Sequence, residues 1–145
     1  MLPKERGKKT LFGALSLRTQ KFFWKQADKG NASYFQEFLL QLHQAHPNKK
    51  LVLILDNGPI HRAGCIARFA GRHSWLKLYY LPAYSPEYNP IERFWKWLKK
   101  VVYGASSYNV IDEVIKRIRQ VIWHYNEGWL KHAIRFEFGI YGNLL

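Results

Sequence analysis

Residues 51–55 form an uninterrupted aliphatic run, which reads LVLIL. This run is far too short to span a bilayer, and it lacks the alternation of a strand with one solvated face. It is typical of a strand buried on both faces of a sheet, with helices packed against each face. We therefore expect a sheet covered by helices, which is a mixed α/β domain.

Periodicity in the remaining chain predicts the element order β-β-α-β-α-β-α-α. TLFGALSL and KFFWKQA favour a hairpin, and LKLYYLPA favours a further strand. Asn31 or Ser33 can cap the helix that follows the hairpin. Two later helices, from near Pro90 and from near residue 109, carry apolar stripes at helical spacing. No repeat or low-complexity linker interrupts the sequence, so residues 1–145 are expected to form one domain.

The charge balance points to a polyanionic partner. Lys and Arg number 23 against 10 Asp and Glu, which gives a formal net charge of +13. This excess predicts nucleic acid first and an anionic membrane surface second, although it can also serve solubility alone. The single Cys and the lack of a signal-peptide or spanning segment favour the cytoplasm without membrane insertion, and nucleoid association when DNA is bound.

Asp56 directly follows the aliphatic strand. A carboxylate at the C-terminal end of such a strand stands at the rim of the sheet, where open α/β sheets place ligands. The tripeptide DNG also has a simpler interpretation, because Asp, Asn and Gly all favour turns for local reasons. Taken alone, the pattern leaves both interpretations open.

Glu92 lies in the first turn of the helix predicted from near Pro90. Asn89 as the cap, Pro90 at the first position and Glu92 three residues after the cap resemble a capping box. Lys96 is four residues further on, the order that favours a modest ion pair. A structural role for Glu92 is therefore the alternative to a catalytic one.

Considered as a pair, the two acids predict a metal site. Hard cations such as Mg²⁺ or Mn²⁺ prefer oxygen ligands, and carboxylates from separate rigid elements can converge on them. Lys96, Lys99 and Lys100 share the polar side of the helix with Glu92 and would then contact the phosphates of DNA. The sequence contains no CxxC or HxxxH set and no glycine-rich loop, so neither zinc nor a nucleotide cofactor is expected.

Two sequence blocks, LVLILDNGPIHRA and LPAYSPEYNPIERFWKWLKK, resemble the second and third catalytic blocks of mariner-like DDE transposases, in particular those of bacterial insertion sequences. Residues 57–91, which separate Asp56 from Glu92, are close in number to that family's interval between acids. Tyr88 stands where Leu is usual in the family. The resemblance also includes LFGAL and the closing amphipathic helix, so it covers most of the chain.

The resemblance implies a ribonuclease-H-like fold, and a metal-dependent enzyme that cleaves phosphodiesters at transposon ends and joins the 3′ hydroxyl to target DNA. It implies Asp56 and Glu92 as catalytic metal ligands. It also places a His at the position of His61, which suggests that this residue contacts phosphates or lies near the metals. A surface or loop role for His61 is equally open.

The family carries three acids, and its first Asp lies on an opening strand for which this sequence shows no match. Glu5 lies in a lysine-rich segment and Asp28 in a turn, so neither fits. We therefore expect a partial domain without the first strand, inactive without an upstream transposase segment and prone to self-association through open strand edges. The rival hypotheses are a non-catalytic DNA-binding or regulatory remnant and a half-domain that acts by associating with a full transposase.

Overall fold

The computed structural model describes residues 8–56, 58–82, 89–104 and 106–128. The elements within these residues follow the predicted order, with one short helix added after β3. In chain order they are β1 Thr10–Leu15, β2 Phe22–Ala27, α1 Ala32–Ala45, β3 Leu51–Leu55, α2 Pro59–Arg62, α3 Gly64–Arg72, β4 Leu76–Tyr80, α4 Ile91–Tyr103 and α5 Ile111–Asn126. None of the described helices is both long enough and apolar enough to cross a membrane.

The chain divides into two compact units. The sheet unit comprises residues 10–12 and 24–89, and it contains β3, β4 and helices α1, α2 and α3. The helical unit comprises residues 1–9, 13–23 and 90–145, and among the described residues it contains α4, α5 and the turn end of the β1–β2 hairpin. The connection between β1 and β2, residues 16–21, is too short for a parallel crossover, so these two paired strands are antiparallel.

The sheet unit is built on a parallel pair of strands. β3 and β4 pair in register from Leu51 with Leu76 to Leu55 with Tyr80. Helix α1 begins where the Asn31 side chain accepts a hydrogen bond from the Tyr34 N–H at 3.0 Å, so the cap predicted at Asn31 is confirmed. Aromatic and aliphatic side chains from the hairpin, helices and strands fill the core of this unit: Phe12, Phe35, Phe38, Leu39, Leu42, Leu55, Ile66, Phe69 and Leu76.

The expectation that β3 is buried on both faces is wrong for the described structure. Leu55 is buried, but Val52 is 49% exposed. The described residues form two separate two-stranded sheets, in which β3 has β4 as its only partner. An aliphatic run predicts that a strand is suited to burial on both faces, but burial itself depends on how many neighbours cover it.

The helical unit packs α4 against α5, and their buried side chains follow the predicted stripes. The buried residues are Phe94, Leu98, Val102, Val114, Ile115, Ile118, Val121, Ile122 and Tyr125. Phe22 stacks on Phe94 with ring centroids 3.9 Å apart. Trp97 packs on Phe94 and Tyr125 with centroids at 5.6 and 5.8 Å. Its position between lysines also suits stacking on DNA or packing on a partner, and that role stays a prediction.

The C-terminal end of α5 holds the hairpin through polar contacts. The Asn126 side chain accepts from the Phe22 N–H and donates to the Phe22 carbonyl, both at 2.8 Å. The Tyr125 hydroxyl donates to the Gln20 carbonyl at 2.6 Å, where the Gln20 backbone has a φ of 64°. Burial raises the pKa of Tyr125 to about 12, because desolvation disfavours the phenolate.

Candidate active site

The C-terminal edge of the parallel β3–β4 pair presents Asp56 immediately after β3. The Leu81 N–H donates to the Leu55 carbonyl at 2.8 Å, so the ladder continues to the residue before Asp56. Because both strands run in the same direction, their carboxyl ends meet at one edge, which is where ligands bind in sheets of this kind. The location predicted for Asp56 from its position in the sequence is therefore confirmed.

The carboxylate of Asp56 closes the turn that follows β3. Its Oδ1 accepts from the Gly58 N–H at 2.9 Å, which is the local turn predicted from DNG. The same oxygen accepts from His61 Nδ1 at 2.8 Å. Asn57, for which the sequence suggests either orienting Asp56 or a water or only forming the turn, lies outside the described residues. Ser85 and Pro86, which together with Pro82 are expected to stiffen the loop before Glu92, also lie outside them.

His61 is held by its surroundings in the sheet unit. Its ring lies against Phe35 of α1 with centroids 4.8 Å apart, and its carbonyl accepts from the Tyr80 hydroxyl at 2.5 Å. The Asp56 side chain is 49% exposed and the His61 side chain 26% exposed. The two groups therefore form a pre-arranged, solvent-accessible pair rather than a buried ion pair.

Glu92 is the second residue of α4 and is exposed. The assigned cap position falls on Pro90, which is in the helical conformation and makes no side-chain cap hydrogen bond. This position is one residue later than the predicted cap at Asn89. The capping box formed by Asn89 and Glu92 stays a prediction. An acid in the first turn is still favoured by the helix dipole.

The lysines predicted to contact DNA all lie on the exposed side of α4. Lys96, Lys99 and Lys100 are exposed, and so is Arg93, which was not singled out from the sequence. The available signal was its spacing, since an Arg at position 93 falls beside Lys96 and Lys100 on a helical wheel. Together these side chains give α4 a strongly cationic surface.

The structure thus brings Asp56 together with His61 in the sheet unit, and Glu92 together with the lysines on α4 in the helical unit. The meeting of Asp56 with Glu92 stays a prediction. No group of three or more His, Cys, Asp or Glu side chains able to hold a metal occurs among the residues that the structure describes. Asp28 directly follows β2, and Glu5 lies outside the described residues.

Asp56 nevertheless offers an oxygen ligand that fits a hard cation. In the described part of the chain both hydrogen bonds to this carboxylate fall on Oδ1, and none falls on Oδ2. A carboxylate oxygen that accepts no hydrogen bond, on a side chain that is half-exposed, is the ligand type that Mg²⁺ and Mn²⁺ select. Two features near Asp56 were not predicted from the sequence, namely the short helix α2 and the packing of Phe35 against the His61 ring. Neither produces a periodic pattern of apolar residues in the sequence.

Comparison with solved structures supports the fold. A chain of the cryo-electron-microscopy structure of the simian T-cell lymphotropic virus intasome in complex with PP2A regulatory subunit B56 gamma matches with a TM-score of 0.58 and 16% identity. The match covers 85% of this chain and 48% of that chain. At this identity the likeness shows the fold alone, and it supports the expected ribonuclease-H-like architecture.

The sequence itself gives the family. The pattern described as DDE superfamily endonuclease matches residues 2–119, a range that includes Asp56, His61 and Glu92. The chain belongs to this family. It is also similar to the insertion element IS630 uncharacterized 39 kDa protein of Shigella sonnei, with 25% identity over 118 residues. That match covers 81% of this chain and 34% of the relative, so the chain spans about a third of the relative's length.

Proposed function

We propose that this chain is the catalytic part of a mariner-like DNA transposase of the insertion-sequence type. The observation that carries the proposal is the exposed Asp56 carboxylate at the carboxyl edge of β3, in a chain whose family match extends over both Asp56 and Glu92. The resemblance of the blocks around these acids to those of bacterial insertion sequences supports the mariner-like assignment, and the Shigella relative supports an insertion-element origin.

In this proposal Asp56 and Glu92 hold a divalent cation, Mg²⁺ or Mn²⁺. When bound, the cation supplies a nucleophile at neutral pH and neutralises charge on the leaving oxygen of a phosphodiester. Water first breaks the phosphorus–oxygen bond at a transposon end and leaves a 3′ hydroxyl. That hydroxyl then attacks a phosphodiester of target DNA, forming a new phosphorus–oxygen bond as the target strand's own is broken. Lys96, Lys99 and Lys100 position the DNA backbone for both steps.

A further carboxylate, carried by a strand from another polypeptide segment, completes the site in this proposal. The edge of β3 that faces away from β4 supports it, because no strand within the described ranges pairs there. Leu51 N–H and Leu55 carbonyl turn toward β4, so the polar backbone groups of the alternate residues, Val52 and Ile54, turn toward the other edge of β3. An additional strand would pair there and cover the exposed apolar surface. We accordingly expect weak activity from this chain alone.

Nicking of labelled DNA taken from the flanks of its own gene tests the proposal. The DNA immediately upstream of the Met1 codon, read in all frames, identifies the segment to be added to the assay. We expect nicking that requires Mg²⁺ or Mn²⁺ and the added segment, and that is lost in Asp56→Asn and Glu92→Gln. Asp112→Asn, which changes an exposed acid in the first turn of α5, is the matched control and should retain activity.

Two results would contradict the proposal. Nicking that persists in Asp56→Asn would remove Asp56 from the site, and robust nicking by the chain alone would remove the need for another segment.

The second candidate is a non-catalytic DNA-binding or regulatory remnant of a transposase. It is favoured by the lack of a three-ligand cluster among the described residues, together with the net charge of +13. This candidate predicts DNA affinity that neither chelation nor the Asp56→Asn and Glu92→Gln substitutions change. A metal-dependent change in DNA affinity or in melting temperature would favour the enzyme.

A further inference from the structure

The two oxygens of Asp56 have different surroundings. Oδ1 accepts two hydrogen bonds, one from the Gly58 N–H at 2.9 Å and one from His61 Nδ1 at 2.8 Å. Both donors belong to the segment that directly follows β3, and none of the hydrogen bonds in the described part of the chain involves Oδ2. A side chain held by one oxygen in this way presents the other in a fixed direction.

His61 is suited to hold Asp56, because it is itself fixed from two sides. Phe35, which is only 4% exposed, packs against its ring, and the Tyr80 hydroxyl donates to its carbonyl. These contacts come from α1 and β4, which are separate elements of the sheet unit. The contact with Phe35 therefore restrains the imidazole ring, and the bond from Tyr80 restrains the backbone that carries it.

The direction of the hydrogen bond follows from the chemistry of the two groups. A carboxylate oxygen accepts, so the shared proton is on Nδ1 of His61. In the neutral ring this assignment leaves Nε2 without a proton. Asp56 and His61 thus define a single tautomer, and the tautomer is measurable without any metal or DNA.

We propose that His61 is a positioning residue for Asp56, which holds Oδ1 so that Oδ2 is directed at the divalent cation. This inference rests on the proposed function, since it takes Asp56 to be a metal ligand. It replaces the role that the sequence suggested for His61, a direct contact with phosphates. Groups that orient metal ligands through hydrogen bonds typically change metal affinity by about 10- to 100-fold when they are removed.

Three substitutions of His61 separate the possible roles of its ring nitrogens. His61→Asn places an amide donor close to the position of Nδ1 and omits Nε2. His61→Gln places its amide near the position of Nε2, out of reach of Asp56. His61→Phe preserves the ring that packs on Phe35 and removes both nitrogens.

Mn²⁺ affinity of the full chain, measured from the paramagnetic resonance signal of free Mn²⁺, gives the first readout. We expect His61→Asn to bind within about three-fold of the unsubstituted chain, and His61→Gln and His61→Phe to bind about ten-fold more weakly. Equal affinity in all three variants, or weakened binding in His61→Asn with retention in His61→Gln, would overturn the inference. An unchanged affinity in Asp56→Asn would instead contradict the proposed function, so the two failures are distinguishable.

The ring nitrogen chemical shifts of His61 give a second readout that needs no substitution to fold. We expect the Nδ1–H tautomer in the unsubstituted chain and its disappearance in Asp56→Ala, which removes the accepting oxygen. An Nε2–H tautomer in the unsubstituted chain would overturn the inference. DNA affinity in the presence of chelator should be the same for His61→Phe as for the unsubstituted chain. A weaker affinity of His61→Phe would show that His61 contacts the DNA phosphates directly and would overturn the inference.

Discussion

Gly13 shows how a single residue limits what the hairpin can carry. A Cβ placed on it would overlap Phe22 Cζ and would lie 2.6 Å from Trp95 Cζ2. Both rings belong to the packed helical unit, where Phe22 is 1% exposed and also contacts Trp95 edge to face. The glycine is therefore required by the close approach of two aromatic side chains, and not by its backbone angles.

We predict that Gly13→Ala destabilises the fold by about 1–3 kcal/mol, the usual cost of overpacking a filled site. Urea unfolding of the purified chain measures this difference. Gly71→Ala is the matched control, because a Cβ there meets no atom within 4 Å and a helical Ala is favoured over Gly. An unchanged free energy of unfolding in Gly13→Ala would contradict this prediction and would show that the rings of Phe22 and Trp95 can move aside.

Tyr125 gives a prediction about pH. Its pKa is raised from 10.0 to about 12 in the folded chain by burial. The unfolded chain therefore loses this proton near pH 10 while the folded chain keeps it, so this group's contribution to stability is intact below pH 10 and is lost as the pH rises toward 12. The decrease is at most about 3 kcal/mol.

Tyr125→Phe should remove the part of the decrease in unfolding free energy above pH 10 that comes from this group. The substitution also removes the hydrogen bond to the Gln20 carbonyl. Unfolding free energies of both proteins between pH 8 and pH 12 check this expectation. The unsubstituted chain should be the more stable of the two at pH 8, and the difference in unfolding free energy should narrow as the pH rises. A constant difference over that range would contradict the raised pKa.

Asp56 illustrates what the sequence could and could not predict at this scale. Its place after an aliphatic strand was predicted, and so was the turn at DNG. The two interpretations looked like alternatives because a sequence does not distinguish the two oxygens of a carboxylate. In the structure the turn and His61 use Oδ1, which leaves Oδ2 for a ligand, so the two interpretations are compatible.

Among the elements, the helices were the easiest to predict and the strands the hardest to interpret. The stripes of α4 and α5 repeat with the helical period, and that period alone determines which side is buried. The exposure of Val52 in β3 and the packing of Trp97 depend on neighbours that are distant in sequence. α4 begins at Ile91, one residue after the start that Asn89 and Pro90 predict, and helix ends commonly differ by that much between definitions.

The cationic side of α4 predicts a specific salt dependence. Replacing Lys96, Lys99 and Lys100 with Gln should reduce the slope of log affinity for DNA against log salt by about 3, one for each phosphate that a lysine no longer neutralises. The control replaces Lys29, Lys49 and Lys50 with Gln, because these lysines are also exposed and their replacement removes the same charge from the sheet unit. Fluorescence anisotropy with labelled duplex DNA at several salt concentrations compares the two. Equal slopes in the two triple variants would remove α4 from the interface.

For the whole molecule, the edge of β3 that pairs with no described strand predicts association. The purified chain should elute as a dimer or larger assembly in size-exclusion chromatography with light scattering, because an unpaired apolar strand edge is a template for pairing. Val52→Lys should shift it toward the monomer. Leu40→Lys, at a similarly exposed apolar residue of α1, is the control and should leave the assembly unchanged. A monomer at all concentrations would contradict this prediction.

The fold class of the molecule was predictable from the sequence, but its division into a sheet unit and a helical unit was not. A continuous chain without linkers indicated no boundary, since residues 13–23 and 90–128 are far apart in sequence yet belong together. Asp56 and Glu92 belong to different units, so no property of either element alone brings the two acids to one cation.

Broadening of the amide resonances by Mn²⁺ in the nuclear magnetic resonance spectrum tests the shared cation most directly. If one ion is bound by both acids, the amides of Gly58 and Arg93 broaden with the same titration midpoint, and Asp56→Asn removes the effect at both. Broadening at Gly58 alone, or an effect at Arg93 that survives Asp56→Asn, would show that Asp56 and Glu92 do not share one cation.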